Sequence, residues 1–194
     1  MHDRRTVIGS WILTALLSLG IASPQSAQPK HPPDVPYVPS TEEAVDAMLK
    51  LADVKASDIL YDLGCGDGRI VIAAAKKFGT HATGIDIDPT RIAEARENAR
   101  KAGVEKLVRF EEKDLFDADI HQATVVTLFL LPDVNLRLKD KLLSDLKPGT
   151  RIVSNTFDMG DWKADKETTI GEPGDQIGLS HHFYLWIVRP GAGK

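Results

Sequence analysis

The sequence predicts an α/β protein: a three-layer sandwich in which helices cover both faces of a mostly parallel, doubly wound sheet. Three observations predict it. Apolar runs of strand length alternate with helix-length segments at βαβ spacing from Ile59 to Asn155. The run Ala123–Leu130 is apolar enough to be a central strand, covered on both faces. The chain has 194 residues, 42% hydrophobic and 27% charged, which suits one globular domain.

Each element has a local cause. Ser40 and Glu43 read as a capping box ahead of a helix over Thr41–Ala52, with Ala44, Val45, Met48 and Leu51 as its apolar stripe. A buried strand follows at Ile59–Leu63 and ends in glycines. Arg69–Phe78 is a helix closed by Gly79, its first side chain free to point away. His81–Ile87 is a second strand. Asp88 caps the next helix and Pro89 takes its first position. Ile92, Ala95, Ala99 and Ala102 line one face of that helix, and Gly103 ends it. Val108–Glu112 is a third strand and Ala123–Leu130 the fourth. Asn135–Leu146 is a helix stopped by Pro148-Gly149, and Thr150–Asn155 is a fifth strand. Phe183–Val188 is a last strong strand, with a weaker one at Glu167–Ile170. Too few residues lie between the fifth strand and Glu167 for a crossover helix, so the end of the sheet is expected to be wired unusually.

The N-terminus stands apart from this domain, which is expected over residues 40–190. Arg4 and Arg5 precede Val7–Ile21, an uncharged apolar run of 15 residues followed by small residues. That is the layout of a signal peptide or N-terminal anchor over residues 1–27. The run is short for a spanning helix, which needs about 20 residues. Residues 28–39 are rich in proline and read as an extended tether. The expected location is export to the periplasm or anchorage to the membrane, or the cytoplasm if the signal is not used.

Composition excludes several classes. Net charge is −4 with no long basic cluster, which argues against a nucleic-acid partner. Cys65 is the only cysteine, so neither an intrachain disulfide nor a multi-thiolate zinc site can form. It lies between two glycines and reads as a small packing residue. His181 and His182 are adjacent on a strand and point to opposite faces, so they cannot chelate one ion together. No metal is expected.

In sheets of this kind ligands bind beyond the carboxyl ends of the strands. The first strand runs into Asp62-Leu63-Gly64-Cys65-Gly66-Asp67-Gly68, whose glycines allow a sharp turn and close approach to a ligand. A tight strand–helix turn explains the same glycines. A dinucleotide fingerprint needs glycines at i, i+2 and i+5. Counted from Gly64 the third position is Arg69, so that fit fails; a phosphate-binding Gly-Lys-Ser/Thr is absent too. The second strand brings Asp86, which can accept from ribose hydroxyls. The third leads to Asp114, within Lys113-Asp114-Leu115-Phe116, which can accept from a purine amine or be a solvated loop acid. Together these acids suit a ligand with an ammonium group, a ribose and an adenine, and no phosphate.

From Ile59 to Asp114 the sequence resembles the class I methyltransferases that use S-adenosylmethionine. The resemblance implies the Rossmann-like methyltransferase fold with S-adenosylmethionine as cofactor. It implies that Asp62 orients the methionine ammonium through water and that Gly64, Gly66 and Gly68 form the loop beneath it. Asp86 would hold the ribose, Ile87 would pack on the adenine, and Asp114, with Leu115 beside it, would meet the adenine amine.

A narrower similarity rests on Pro36–Ser40 (PYVPS), Asp67–Val71 (DGRIV) and Thr127–Pro132 (TLFLLP). These resemble the lysine methyltransferases that modify adenine nucleotide translocase and the ATP synthase c-subunit. The implied acceptor is a protein lysine amine, with a membrane protein among the candidate substrates. A small-molecule methyltransferase and an exported S-adenosylmethionine-binding protein without turnover are the alternatives. Tyr37 and Asn135 are the candidate catalytic residues on the substrate side. Asp158 and Trp162 could flank an amine channel, and Phe129 and Trp162 could hold an ammonium. A cap, a loop hydrogen bond or packing would explain each of these equally. The Asn/Asp-Pro-Pro-Tyr motif of base-modifying amino methyltransferases does not occur; Leu131-Pro132-Asp133 stands there instead.

Overall fold

The computed structural model describes residues 35–171 and 181–191. The apolar run at residues 1–27 and the first part of the proline-rich tether lie outside the described residues. No helix among the described residues is long and apolar enough to cross a membrane.

The helices are α1 (Glu42–Leu51), α2 (Arg69–Phe78), α3 (Pro89–Ala102) and α4 (Pro132–Asp145). The strands are β1 (Ile59–Leu63), β2 (His81–Asp86), β3 (Val108–Glu112), β4 (Val125–Leu128), β5 (Arg151–Asn155), β6 (Lys166–Ile170) and β7 (His181–Ile187). They form one seven-stranded sheet in the order β3-β2-β1-β4-β5-β7-β6. Strands β1 to β5 are parallel, and β7 lies antiparallel between β5 and β6. The unusual wiring at the end of the chain is this reversal. Residues 156–165 are too short for a crossover, so the chain runs to the sheet edge and returns through β7.

Two apolar layers enclose the sheet. Leu60, Val125, Val153 and Phe183 face α1 and α2, packing with Met48, Leu49, Val71 and Ala74. Leu128, Ile152 and Trp186 face the other way, against Leu138 and Leu142 of α4. Fully burying one such side chain contributes about 1.5–3 kcal/mol.

Two expected helix starts move. The cap of α1 is Thr41, whose Oγ1 accepts from the Ala44 amide at 3.2 Å. Ser40 sits one residue early and is buried, its carbonyl accepting from Arg69. Helix α4 begins at Pro132 rather than Asn135, because a proline at the first position has its φ already set for a helix.

The amino edge of the sheet is fastened by one side-chain cluster. The Arg151 guanidinium pairs with Asp58 and donates to the carbonyls of Ala52 and Asp53 at 2.7 and 2.8 Å. Thr124 Oγ1 donates to Asp58 at 2.7 Å. This ties the end of α1 to β1, β4 and β5, and so sets where the chain entering α1 crosses the opposite edge.

Candidate active site

At the carboxyl edge the loop after β1 turns on itself. The amides of Gly64 and Cys65 both donate to the Ile85 carbonyl, at 2.8 and 2.9 Å, and Gly68 donates back to Cys65. Above this loop is a cavity of about 410 Å³. Asp62, Gly64, Gly66, Asp86, Ile87, Asp114 and Leu115 all line it, as do Tyr37 and Phe129. Eight expected donor-site residues were named from the sequence, and Gly68 is the one not on this wall. It sits at φ +80°, where a Cβ would strike Phe110 and Ala95. Gly68 thus lets α2 pack against α3 and β3.

The carboxylates differ in environment. Asp62 is 2% exposed and accepts from Thr127 Oγ1 at 2.7 Å. Burial pushes its pKa up to about 7, against the opposing pull of the Thr127 hydrogen bond. Asp86 accepts the Gly66 amide on Oδ2 at 2.8 Å and the Asp88 amide on Oδ1 at 2.9 Å. Burial raises its pKa as well. Asp114 accepts from the Phe116 amide at 2.9 Å and starts a short 3-10 helix over Leu115–Asp117. Burial, with the Asp62 and Asp86 charges nearby, pushes the Cys65 thiol well up, so it is no nucleophile.

A strap of residues 35–40 crosses the mouth. The Tyr37 ring occupies the space that a Cβ on Gly66 would need, where the backbone has φ +52°. The Arg91 guanidinium lies 4.6 Å from the centre of that ring. Asp67 takes Arg69 Nε at 2.9 Å and Nη2 at 2.7 Å, and Arg69 also donates to the Ser40 carbonyl. The expected free Arg69 side chain is therefore a brace between the glycine loop and the strap. Burial and the Asp67 charge raise the Tyr37 pKa, although 44% of the residue remains exposed.

The residues read as substrate-side are dispersed. Asn135 is fully buried and away from the cavity lining. Its Nδ2 donates to Ser154 Oγ and the Phe157 carbonyl, both at 3.1 Å, so it fastens the loop after β5. Its Oδ1 has no hydrogen-bond partner. Trp162 packs on Trp186, with ring centres 6.0 Å apart, and its carbonyl accepts from Trp186 Nε1. Asp158 accepts from the Gly160 amide at 2.9 Å. His181 and His182 point to separate partners, Asn155 and Glu167. No cluster of metal-ligating side chains occurs among the described residues.

Sequence reasoning missed Thr127, Arg69 and Arg91 as parts of this site. Thr127 was findable: it is the polar residue in an apolar strand, and it pairs in register with Asp62.

The cavity's chemistry can be matched to a ligand. Asp62 and Asp86 present buried acceptors to an ammonium and to vicinal hydroxyls. Gly64 and Gly66 present bare backbone, and Ile87 and Leu115 present apolar surface. The two arginines that line the cavity are engaged, Arg69 with Asp67 and Arg91 with Glu94 and the Tyr37 face. These residues fit an aminoacyl nucleoside without phosphates.

Known proteins resemble the chain along the same stretch. The family model described as the ANTKMT methyltransferase domain matches residues 62–166. A protein-lysine N-methyltransferase of Saccharolobus islandicus (strain REY15A) is 47% identical over 157 residues, covering 80% of this chain and 95% of that protein. The adenine nucleotide translocase lysine N-methyltransferase of Mus musculus is 34% identical over 143 residues, 74% of this chain. The chain spans 61% of the length of that mouse relative. Among solved structures, an RNA methyltransferase from Salinibacter ruber in complex with S-adenosyl-L-homocysteine superposes with a TM-score of 0.72 at 50% identity. That match covers 78% of this chain and 94% of the other.

Proposed function

Because the chain belongs to the ANTKMT methyltransferase domain family, we propose that it transfers a methyl group from S-adenosylmethionine to a protein lysine amine. The observation that carries this is the cavity itself, in which an ammonium acceptor, a hydroxyl acceptor and a bare glycine loop line one space. When bound, S-adenosylmethionine supplies a sulfonium-borne methyl for in-line transfer to an amine.

The chain's residues then have distinct tasks. Asp62 ionises to receive the donor's ammonium. Asp86 takes the ribose hydroxyls with the acceptor capacity left after Gly66 and Asp88. Ile87 and Leu115 flank the adenine and Asp114 accepts from its amine. Tyr37 closes over the loop and keeps water from the reacting side. The acceptor lysine gives its proton to water before reaching the site as a neutral amine.

The lysine acceptor is supported by the archaeal relative's name and by its coverage of 95% of that protein. A membrane-protein acceptor is supported by the mouse relative's name. Residues 1–27 would hold the chain at the membrane or export it, as Arg4, Arg5 and the apolar run Val7–Ile21 suggest. Fractionation of tagged full-length protein tests that placement, and wholly cytosolic protein with an intact Met1 would overturn it.

One observation favours a second reading. The Salinibacter structure is described as an RNA methyltransferase. Against an RNA acceptor stands the net charge of −4 without a long basic cluster, since RNA phosphates require neutralisation. Incubation with isotopically labelled donor and total host protein or total RNA separates the two. Label on lysine in protein supports the first reading; label in RNA alone replaces it with the second.

A further inference from the structure

The donor cavity occupies the carboxyl ends of β1, β2 and β4. Two strands further on, the same edge carries a different surface. Ser154, Tyr184 and Glu167 pair in register across β5, β7 and β6, so their side chains share one face. His182 continues that face, its ring 4.4 Å from Tyr184, and Glu167 meets its Nε2 at 3.0 Å. Asp158, on the loop after β5, flanks the other side. The charges of Asp158 and Glu167 both reach Tyr184 and, with partial burial, raise its pKa. Behind Ser154 lies Asn135, fully buried, with Oδ1 lacking a hydrogen-bond partner. Aromatic faces beside two carboxylates and an unsatisfied carbonyl are complementary to a cation.

We propose that this face docks a second basic side chain of the substrate, on the segment that carries the acceptor lysine. The inference rests on the lysine reading and adds a sequence preference to it. Geometry sets the spacing. From β4, beside the donor, to β7 is two strand spacings, roughly 10 Å, which an extended segment covers in about three residues. The preferred acceptor therefore carries Arg or Lys about three positions from the target lysine.

The experiment uses the full chain and three peptides with one acceptor lysine and Arg, Ala or Glu three positions away on either side. Wild type is compared with an Asp158→Asn, Glu167→Gln double variant. For wild type the Arg peptide should show a KM about ten-fold below the Glu peptide at similar kcat. In the double variant that ratio should fall to near one while affinity for S-adenosylhomocysteine stays unchanged. Equal KM values across the peptides in wild type, or a ratio that survives in the variant, would overturn the docking face and leave the lysine reading standing. Absence of methylation on any lysine, in peptides and in host proteins alike, would overturn both.

Discussion

The Gly66 amide donates to Asp86 Oδ2 at 2.8 Å, so the carboxylate available to a ribose also holds the glycine loop. The same carboxylate's other oxygen takes the Asp88 amide at the start of α3. One side chain thus joins the floor of the cavity to its wall. Its removal should be felt in loop order as well as in binding.

For Asp86→Ala we expect donor-product affinity to fall by ten-fold or more, since hydrogen bonds to a charged group are worth roughly 1.5–3 kcal/mol. The Gly66 amide should also exchange with solvent faster. Calorimetry and hydrogen exchange on one sample check this. Weakened binding with unchanged Gly66 protection would leave Asp86 a ligand contact only.

Asp62 makes donor binding depend on pH. Burial raises its pKa from 3.8 to about 7. Between those values the folded state keeps a proton that the unfolded chain has released. The carboxyl therefore costs no stability below about pH 4, costs progressively more up to about pH 7, and levels off above. The ligand-free melting temperature should carry a falling component from pH 5 to 7 that Asp62→Asn removes. Affinity for S-adenosylhomocysteine should rise over the same range as the carboxylate forms. Thr127→Val, which deletes the hydrogen bond to Asp62, should move that rise to higher pH. Identical pH profiles for wild type and Asp62→Asn would refute the assignment.

Gly66 and Tyr37 should couple. A methyl on Gly66 meets the Tyr37 ring and also demands the uncommon φ of +52°. Gly66→Ala alone should therefore weaken donor binding more than Gly66→Ala made on a Tyr37→Ala background. In the second case only the backbone strain remains, roughly 1–3 kcal/mol. Donor titrations of the four proteins close the cycle. Additive effects within about 0.5 kcal/mol would mean the strap does not rest on the loop in solution.

At the opposite edge, Asp58→Ala should leave the Arg151 guanidinium without its carboxylate. The pair is 8% and 20% exposed at its two side chains, so breaking it should cost about 3 kcal/mol in denaturant unfolding. Donor affinity should be unaffected. A variant that lost binding but not stability would show that the amino-edge cluster acts on the site.

Much of this architecture was legible in the sequence. The bounds of β1, α2 and β3 match the apolar runs between their glycine and acid boundaries, because strand and helix periods are local properties. The expected fourth strand was longer than the observed Val125–Leu128, since apolar residues continue past the last ladder hydrogen bond into the cavity wall at Phe129 and Leu130. The place of β7 inside the sheet could not be read, as strand order depends on pairing between distant segments. The site followed the same division. Asp62 and Asp86 were findable from strand ends. Gly68 carried the motif's spacing but serves the packing of Phe110 and Ala95. Asn135 sat after a strand end by position, yet the early start of α4 turns it into the interior.

The reversal of β7 has an evolutionary consequence. Everything that lines the donor cavity comes from residues 35–130, whereas the aromatic and acidic face comes from residues 156–187. Selection can therefore rewrite the hairpin at the sheet's edge without disturbing the nucleoside chemistry upstream. A chimera that exchanges only this C-terminal portion between relatives should inherit the donor affinity of one parent and the substrate choice of the other.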